Sequence, residues 1–365
     1  IDIDNANATE GGVFIGLTGR EGVLATIKTV EASADGADVA VTSGNGMLKV
    51  LNAKANDALQ FQITGQADVE ALLLGAMHAG GDLNLIATAG DIVQLSGADI
   101  IADTANTLTT LSAGGDITLL AVTNNFADIT VKTGTNVHVV DVSGVNLFDV
   151  YSTGNFKLET VDQLALMANT SIASGADTSL SLTSENLIFG ANHITTAGGS
   201  VNISVNLGDW VAINSSSILA GKDINAYVAG SIDLAETTLV EAGASVALVV
   251  DNSISVVGTT IFAAVSGDLT LISDVVGDAT IAGNTELTSG QSMLIDVADG
   301  DLNVSGTSRF TAEAGALKVL MRDGDVGFGG TSALHGDAVS INLEGVDHSA
   351  KTSGTTTITA DQSNV

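Results

Sequence analysis

The chain of 365 residues carries 11 Lys plus Arg against 42 Asp plus Glu, a formal net charge of -31, with 42 Gly, no Pro and no Cys. So few cations argue against a nucleic-acid partner, because phosphate binding needs a basic face. The absence of Cys excludes a disulfide scaffold, thiolate zinc sites and a Cys nucleophile. Apolar runs such as Val246-Ala-Leu-Val-Val250 stay far below the roughly 18 residues of a spanning helix, so no membrane insertion is expected.

The opening residues, Ile1-Asp-Ile-Asp4, show no basic n-region and no apolar h-region of a secretion signal. Up to residue 150 the phrases Gly81-Asp-Leu-Asn-Leu-Ile-Ala87 and Gly115-Asp-Ile-Thr-Leu-Leu-Ala121 repeat one strand signal at irregular spacing. From 151 to 365 the repeat becomes regular. Strand starts fall at Phe156, Leu180, Val201, Ile224, Val246, Leu269, Met293, Leu317 and Val339, a period of about 23. A second column runs Ile194, Ile218, Leu239, Ile261, Leu287, Phe310, Leu334 and Ile358, and is expected to point inward. Three phrases superpose without gaps: Ala279-Thr-Ile-Ala-Gly-Asn-Thr-Glu-Leu287, Leu302-Asn-Val-Ser-Gly-Thr-Ser-Arg-Phe310 and Val326-Gly-Phe-Gly-Gly-Thr-Ser-Ala-Leu334.

Each repeat thus holds three short apolar-alternating runs divided by Gly, Asp, Asn or Ser, and no helical spacing of useful length. Such a unit cannot bury its apolar face alone. If each run pairs in parallel with its equivalent one repeat later, the result is an all-β, right-handed parallel β-helix. Pro is excluded because every interior rung donates its N–H to a neighbouring coil. About 16 coils at about 4.8 Å each would make a rod on the order of 75 Å long. The whole of 1-365 is expected to be one solenoid, with 1-150 the less regular part, and to be a piece of a longer fibre or a subunit that stacks end to end.

The phrases Ala79-Gly-Gly-Asp-Leu-Asn-Leu-Ile-Ala87, Ala113-Gly-Gly-Asp-Ile-Thr-Leu-Leu-Ala121 and Val265-Ser-Gly-Asp-Leu-Thr-Leu-Ile272 resemble the repeats of filamentous-haemagglutinin-like bacterial exoproteins. That resemblance implies a secreted, right-handed β-helix serving as an adhesin shaft or surface fibre. Members commonly begin with a secretion domain containing Asn-Pro motifs, and this chain has no Pro. A surface-layer or matrix-fibre protein on the same coil is almost equally compatible.

The most suggestive polar feature is a carboxylate-rich corner. Asp299-Gly-Asp301 and Asp323-Gly-Asp325 are one repeat apart, with Asp274 and Asp278 before them and Glu344 after. Stacked carboxylates repel unless a hard cation bridges them, and oxygen-only clusters suit Ca²⁺. The competing reading is that Asp and Gly merely make the turn. The Gly-Gly-x-Gly-x-Asp calcium repeat is absent.

Other candidates are weaker. The five His residues, His78, His138, His193, His335 and His348, are dispersed. Arg309 and Arg322 could serve a polysaccharide-cleaving site, but Arg309 occupies an outward repeat position held by Ala333 in the next copy. Trp210 and Tyr227 could form a sugar platform, with an exposed or groove-lining aromatic the plainer reading. Thr259, Thr307 and Thr331 suggest a hydroxyl ladder.

The expected function is structural, with no reaction: a rigid shaft, fibre or lattice component of a bacterial surface or matrix, extracellular, self-associating end to end or laterally, and stabilised by calcium. Cell-surface glycans or matrix are the further expected partners. A carbohydrate-binding or polysaccharide-cleaving β-helix is the alternative.

Overall fold

The computed structural model describes residues 1–18, 23–44, 46–65, 71–212, 215–344 and 348–361. Every element among them is a strand, and the strand pairs are parallel. The fold is a parallel β-solenoid with turns of about 23 residues and about 15 coils.

The N-terminal unit comprises Ile1–Ala165 and Ile172–Ala176. One of its core columns passes through Val39, Leu59, Leu83, Thr109, Ile129 and Leu147, residues paired coil to coil and all essentially buried. Its steps are 20, 24, 26, 20 and 18, with register shifts after Leu111 and Ile129. The length varies in the corners, while the strands keep their pairing. This is why the period fades before residue 150 although the architecture does not change.

The C-terminal unit comprises Leu166–Ser171 and Asp177–Val365. In its first sheet the register runs Val201, Ile224, Val246, Leu269, Met293, Leu317, Val339, as the sequence predicts. The partner of Val201 on the preceding coil is Thr178 rather than Leu180, which sits two places further along the strand against Ile203. A fully buried Thr holds a core position there, and an apolar search passes over it.

The second sheet corrects the expected inward column. Its true members are Thr195, Ile218, Val240, Phe262, Leu287, Phe310 and Leu334, paired coil by coil and each at most 1% exposed. Ile218, Leu287, Phe310 and Leu334 are as expected. Ile194 and Ile261 instead point outward, 44% and 38% exposed, and Leu239 is half-buried beside Val240. Side chains alternate faces along a strand, so a one-residue slip inverts the assignment.

Two of the three predicted runs per coil often fuse. Ile232–Ala242, Ile254–Ala264, Ala279–Ser289 and Val326–Gly336 are continuous strands of 11 residues bent at their middle. The bend sits at Glu236, Gly258, Gly283 and Gly330, all with positive φ. A Cβ at Gly330 would lie 2.2 Å from the Gly306 carbonyl oxygen, and one at Gly283 would lie 2.4 Å from that of Gly258. At Gly258, Gly283 and Gly330 backbone stacks directly on the backbone of the preceding coil, which demands glycine there for space as well as for dihedral angle.

Just past Glu236, Gly283, Gly306 and Gly330, all at positive φ, a buried hydroxyl closes the corner, whereas the Thr260 hydroxyl, just past Gly258, is buried without a hydrogen-bond partner among the described residues. Thr238 donates to the Ala235 carbonyl (3.3 Å), Thr285 to Ala282 (3.2 Å), Ser308 to Ser305 (3.2 Å) and Ser332 to Gly329 (3.3 Å). The recurring Gly-Thr-Ser phrase is therefore a corner: Gly bends, Thr faces water, and the next hydroxyl satisfies a carbonyl that the bend releases from the ladder.

Candidate functional site

Five successive coils of the C-terminal unit enter its first sheet through a residue whose side chain accepts the backbone N–H of its counterpart on the next coil. Asp177 Oδ1 takes Ser200 N (2.7 Å), Ser200 Oγ takes Asp223 N (3.5 Å) and Asp223 Oδ1 takes Ser245 N (3.1 Å). Ser245 Oγ then takes Asp268 N (3.2 Å) and Asp268 Oδ1 takes Ser292 N (2.9 Å). Asp and Ser alternate, so no two carboxylates in this column are immediate neighbours. The arrangement keeps an acceptor on every coil while halving the like-charge repulsion.

The corner with the sequence-predicted cation ligands is a second such column. Asn186 Oδ1 takes Asp209 N (2.8 Å) and Asp209 Oδ1 takes Ser231 N (2.6 Å). Further on, Asp278 Oδ1 takes Asp301 N (2.9 Å), Asp301 Oδ1 takes Asp325 N (2.8 Å) and Asp325 Oδ1 takes Ser349 N (2.7 Å). The turn chemistry of Asp is present here, but the backbone it satisfies belongs to the next coil. Between these carboxylates Gly277, Gly300 and Gly324 stack at φ 139, 142 and 143.

Of the predicted ligands, Asp301 and Asp325 are thus brought together, each with one oxygen engaged by backbone. Lys351 Nζ reaches the other oxygen of Asp325 at 3.0 Å, and this ammonium, with the Ser349 N–H, holds the carboxyl below the usual carboxylate range. Asp323 faces His348 Nε2 at 3.2 Å, and Asp274 lies 3.6 Å from Arg322. Asp299 is exposed, and its backbone carbonyl accepts Gly277 N–H. Glu344 is exposed one coil on. Among the described residues, no three His, Cys, Asp or Glu side chains gather as a metal-binding group.

Arg322 has a second partner that sequence alone does not reveal. Asp296 is 5% exposed, and its Oδ2 accepts Arg322 Nη2 at 2.6 Å. The guanidinium therefore covers a buried carboxylate on the sheet's outer face and reaches toward Asp274. Arg309 is exposed, in register between Glu286 and Ala333, as its repeat position predicts.

The aromatic pair does not form a platform. Trp210 is fully buried, 5.5 Å from Phe189 between ring centroids, because it occupies an inward strand position. This corrects the expectation of an exposed or groove-lining ring. Tyr227 is outward and 41% exposed, and its hydroxyl donates to Asp251 Oδ2 at 2.9 Å. The His residues are separate. His193 is buried between Thr170 Oγ1 (3.1 Å) and Thr195 Oγ1 (3.0 Å), His138 contacts Glu159 at 2.7 Å, and His335 lies 3.4 Å from Asp361.

The column expected as a hydroxyl ladder runs Thr237, Thr259, Asn284, Thr307, Thr331 and Thr355 in register, all exposed. An Asn interrupts it, so the face is polar without being a uniform threonine array.

Three shallow grooves lie on outer sheet faces. One in the N-terminal unit, about 290 Å³, is flanked by Glu31, Lys54, His78 and Asp99. Two in the C-terminal unit, about 340 Å³ each, are flanked by Asn202, Asn225 and Tyr227 and by Thr270, Leu294 and Lys318.

A buried acid in the N-terminal unit is structural. Asp141 is 1% exposed, accepting Phe126 N and Ser143 N, both at 2.7 Å, and Ser143 Oγ at 3.0 Å. Burial outweighs these bonds and pushes its carboxyl up to about 6. Beside it, Gln94 and Asn124 exchange amide hydrogen bonds in both directions, and Asn124 Oδ1 also accepts Ile100 N.

Comparison with protein-family models, with curated proteins and with solved structures finds no match to this chain.

Proposed function

We propose that this is a structural protein: a rigid shaft, fibre or lattice component of a bacterial surface or matrix, extracellular and of the filamentous-haemagglutinin-like kind. The single observation that supports this reading most is where its polar groups are spent. Asp, Ser and Asn side chains at the corners are committed, coil after coil, to the backbone of the next coil. With the unbroken inward columns, this makes each coil a cooperative support for its neighbour.

Pulling the full chain from its two ends in a single-molecule force instrument tests the mechanical role. A coil of about 23 residues should release in steps of about 75 Å, from an extension of about 3.3 Å per residue. Regular steps at high force support the proposal; extension without resolvable steps or resistance overturns it.

Calcium and self-association belong to the same proposal in a specific form. Asp301 and Asp325 each engage backbone through one oxygen, and Asp299 and Asp323 are exposed beside them, so this row of carboxylates can share divalent cations with a neighbouring molecule, in competition with Lys351 at Asp325. In this reading calcium bridges copies laterally, with Asp299, Asp301, Asp323 and Asp325 as its contact row.

A further inference from the structure

We propose that the outer face of the first sheet in the C-terminal unit binds a neutral, unbranched oligosaccharide, centred on Tyr227, Asn202 and Asn225. Four strands build this face: Thr178–Leu182, Val201–Val205, Ile224–Val228 and Val246–Val250. Their outward positions hold only Ser, Asn, Tyr, Ala and Val, so a chain of net charge -31 has an uncharged strip here.

The strip is shaped as a groove of about 340 Å³ between two rows of side chains. Along one row Ser179, Asn202, Asn225 and Ala247 are in register, and along the other Ser204, Tyr227 and Val249. Asn225 Nδ2 donates to Asn202 Oδ1 at 3.2 Å, which orients both amides and leaves Asn202 Nδ2 and Asn225 Oδ1 at the ends of the pair. A donor on one strand and an acceptor on the next are then offered, the complement of hydroxyls on successive sugar units.

Tyr227 supplies the apolar part. Its hydroxyl is tied to Asp251, so the ring is fixed while 41% of the residue stays exposed. A pinned, half-exposed ring beside amides suits the C–H face of a pyranose, which is apolar in its centre and polar at its rim. The strand spacing of about 4.8 Å places Ser179, Asn202 and Asn225 at about one per sugar unit.

A linear ligand fits better than a compact one, because the row continues. Ala247 is followed in register by Thr270, Leu294 and Lys318, which flank the neighbouring groove. The uncharged walls around Asn202, Asn225 and Tyr227 offer no cation to uronate or phosphate polymers, and the net charge of -31 repels them, with Lys318 the one cation along the extended row.

Isothermal titration of the full chain with neutral hexasaccharides of glucose, mannose and galactose, and with a hexagalacturonate, tests the assignment. The expected result is binding of a neutral hexasaccharide at or below about 1 mM, no binding of the hexagalacturonate, and about tenfold weakening in both Tyr227→Ala and Asn225→Ala. Both side chains are exposed, so the variants should melt with the wild type, and Trp210 emission reports that the core is intact. The assignment is overturned if no neutral hexasaccharide binds, if the hexagalacturonate binds more tightly, or if a folded Tyr227→Ala variant binds as well as wild type.

Discussion

Ile261 and Phe262 differ by one place in the chain, and the strand pleat sends them to opposite faces, 38% and 0% exposed. Phe262→Ala should therefore cost about 3–5 kcal/mol, whereas Ile261→Ala should stay within about 1 kcal/mol. Chemical denaturation of the two variants checks the register, and equal losses would refute it. In the same column, Phe310→Asp should place an unpaired charge among apolar neighbours and abolish the cooperative melt of its coils. The slip in reading this column has a physical origin. Leu239-Val240 and Ile261-Phe262 each offer two apolar residues for one inward position, and at Thr195 the inward residue is polar. Asp141 gives a pH prediction. Its folded carboxyl titrates near 6 against an ordinary 3.8, so folded molecules hold this proton more tightly than unfolded ones. The associated stability is full below about pH 3.8 and is lost as pH rises through about 6, of order 3 kcal/mol in all. Asp141→Asn should remove that slope, so in melts of both proteins between about pH 4 and pH 7 wild type should lose stability relative to the variant as pH rises; a difference constant across that range would refute the assignment.

At the scale of an element, the corner is the part that sequence reading grasped least. The phrase containing Gly283, Gly306 and Gly330 was visible as a repeat at spacings of 23 and 24, but the sequence does not show that one strand bends through it. Gly330→Ala should be severely destabilising, because φ is 72 and the new Cβ would meet the Gly306 carbonyl oxygen at 2.2 Å. Gly327→Ala, three residues earlier with its nearest contact at 3.4 Å, should be tolerated. Thermal melts of this pair check the backbone-on-backbone corner. The Asp columns make a second test. Asp301→Ala removes the acceptor for Asp325 N–H and should cost about 1–3 kcal/mol, while Asp301→Asn keeps an oxygen in place and should cost less. Similar losses for the two would show that charge, and not acceptance of a hydrogen bond, is what the corner requires. The alternation of Asp and Ser from Asp177 to Ser292 was legible at spacings of 22 to 24. It is hidden unless the strands are first aligned, since neither residue type is rare in this chain. Trp210 was misplaced for a related reason: a single large aromatic says nothing of its face until the pleat of its strand is known.

For the whole molecule, architecture was written in period and composition, because a solenoid repeats its physics in every coil. The period was clear where corner lengths are constant and faded where steps range from 18 to 26, as between Val39 and Leu147. Sites were less legible, since a groove such as that beside Tyr227 is made by residues about 23 apart that carry no motif of their own. In the proposed reading a net charge of -31 keeps copies apart in low divalent salt, and calcium shared between carboxylates of neighbouring copies joins them. Negative-stain electron microscopy of the purified chain, with sedimentation in parallel, tests that account most directly: first in about 1 mM calcium, within the range of weak extracellular calcium sites, then after chelation. Fibres or sheets that form with calcium and come apart with chelator are the predicted result. Separate, unassociated particles in both conditions would contradict the assembly role.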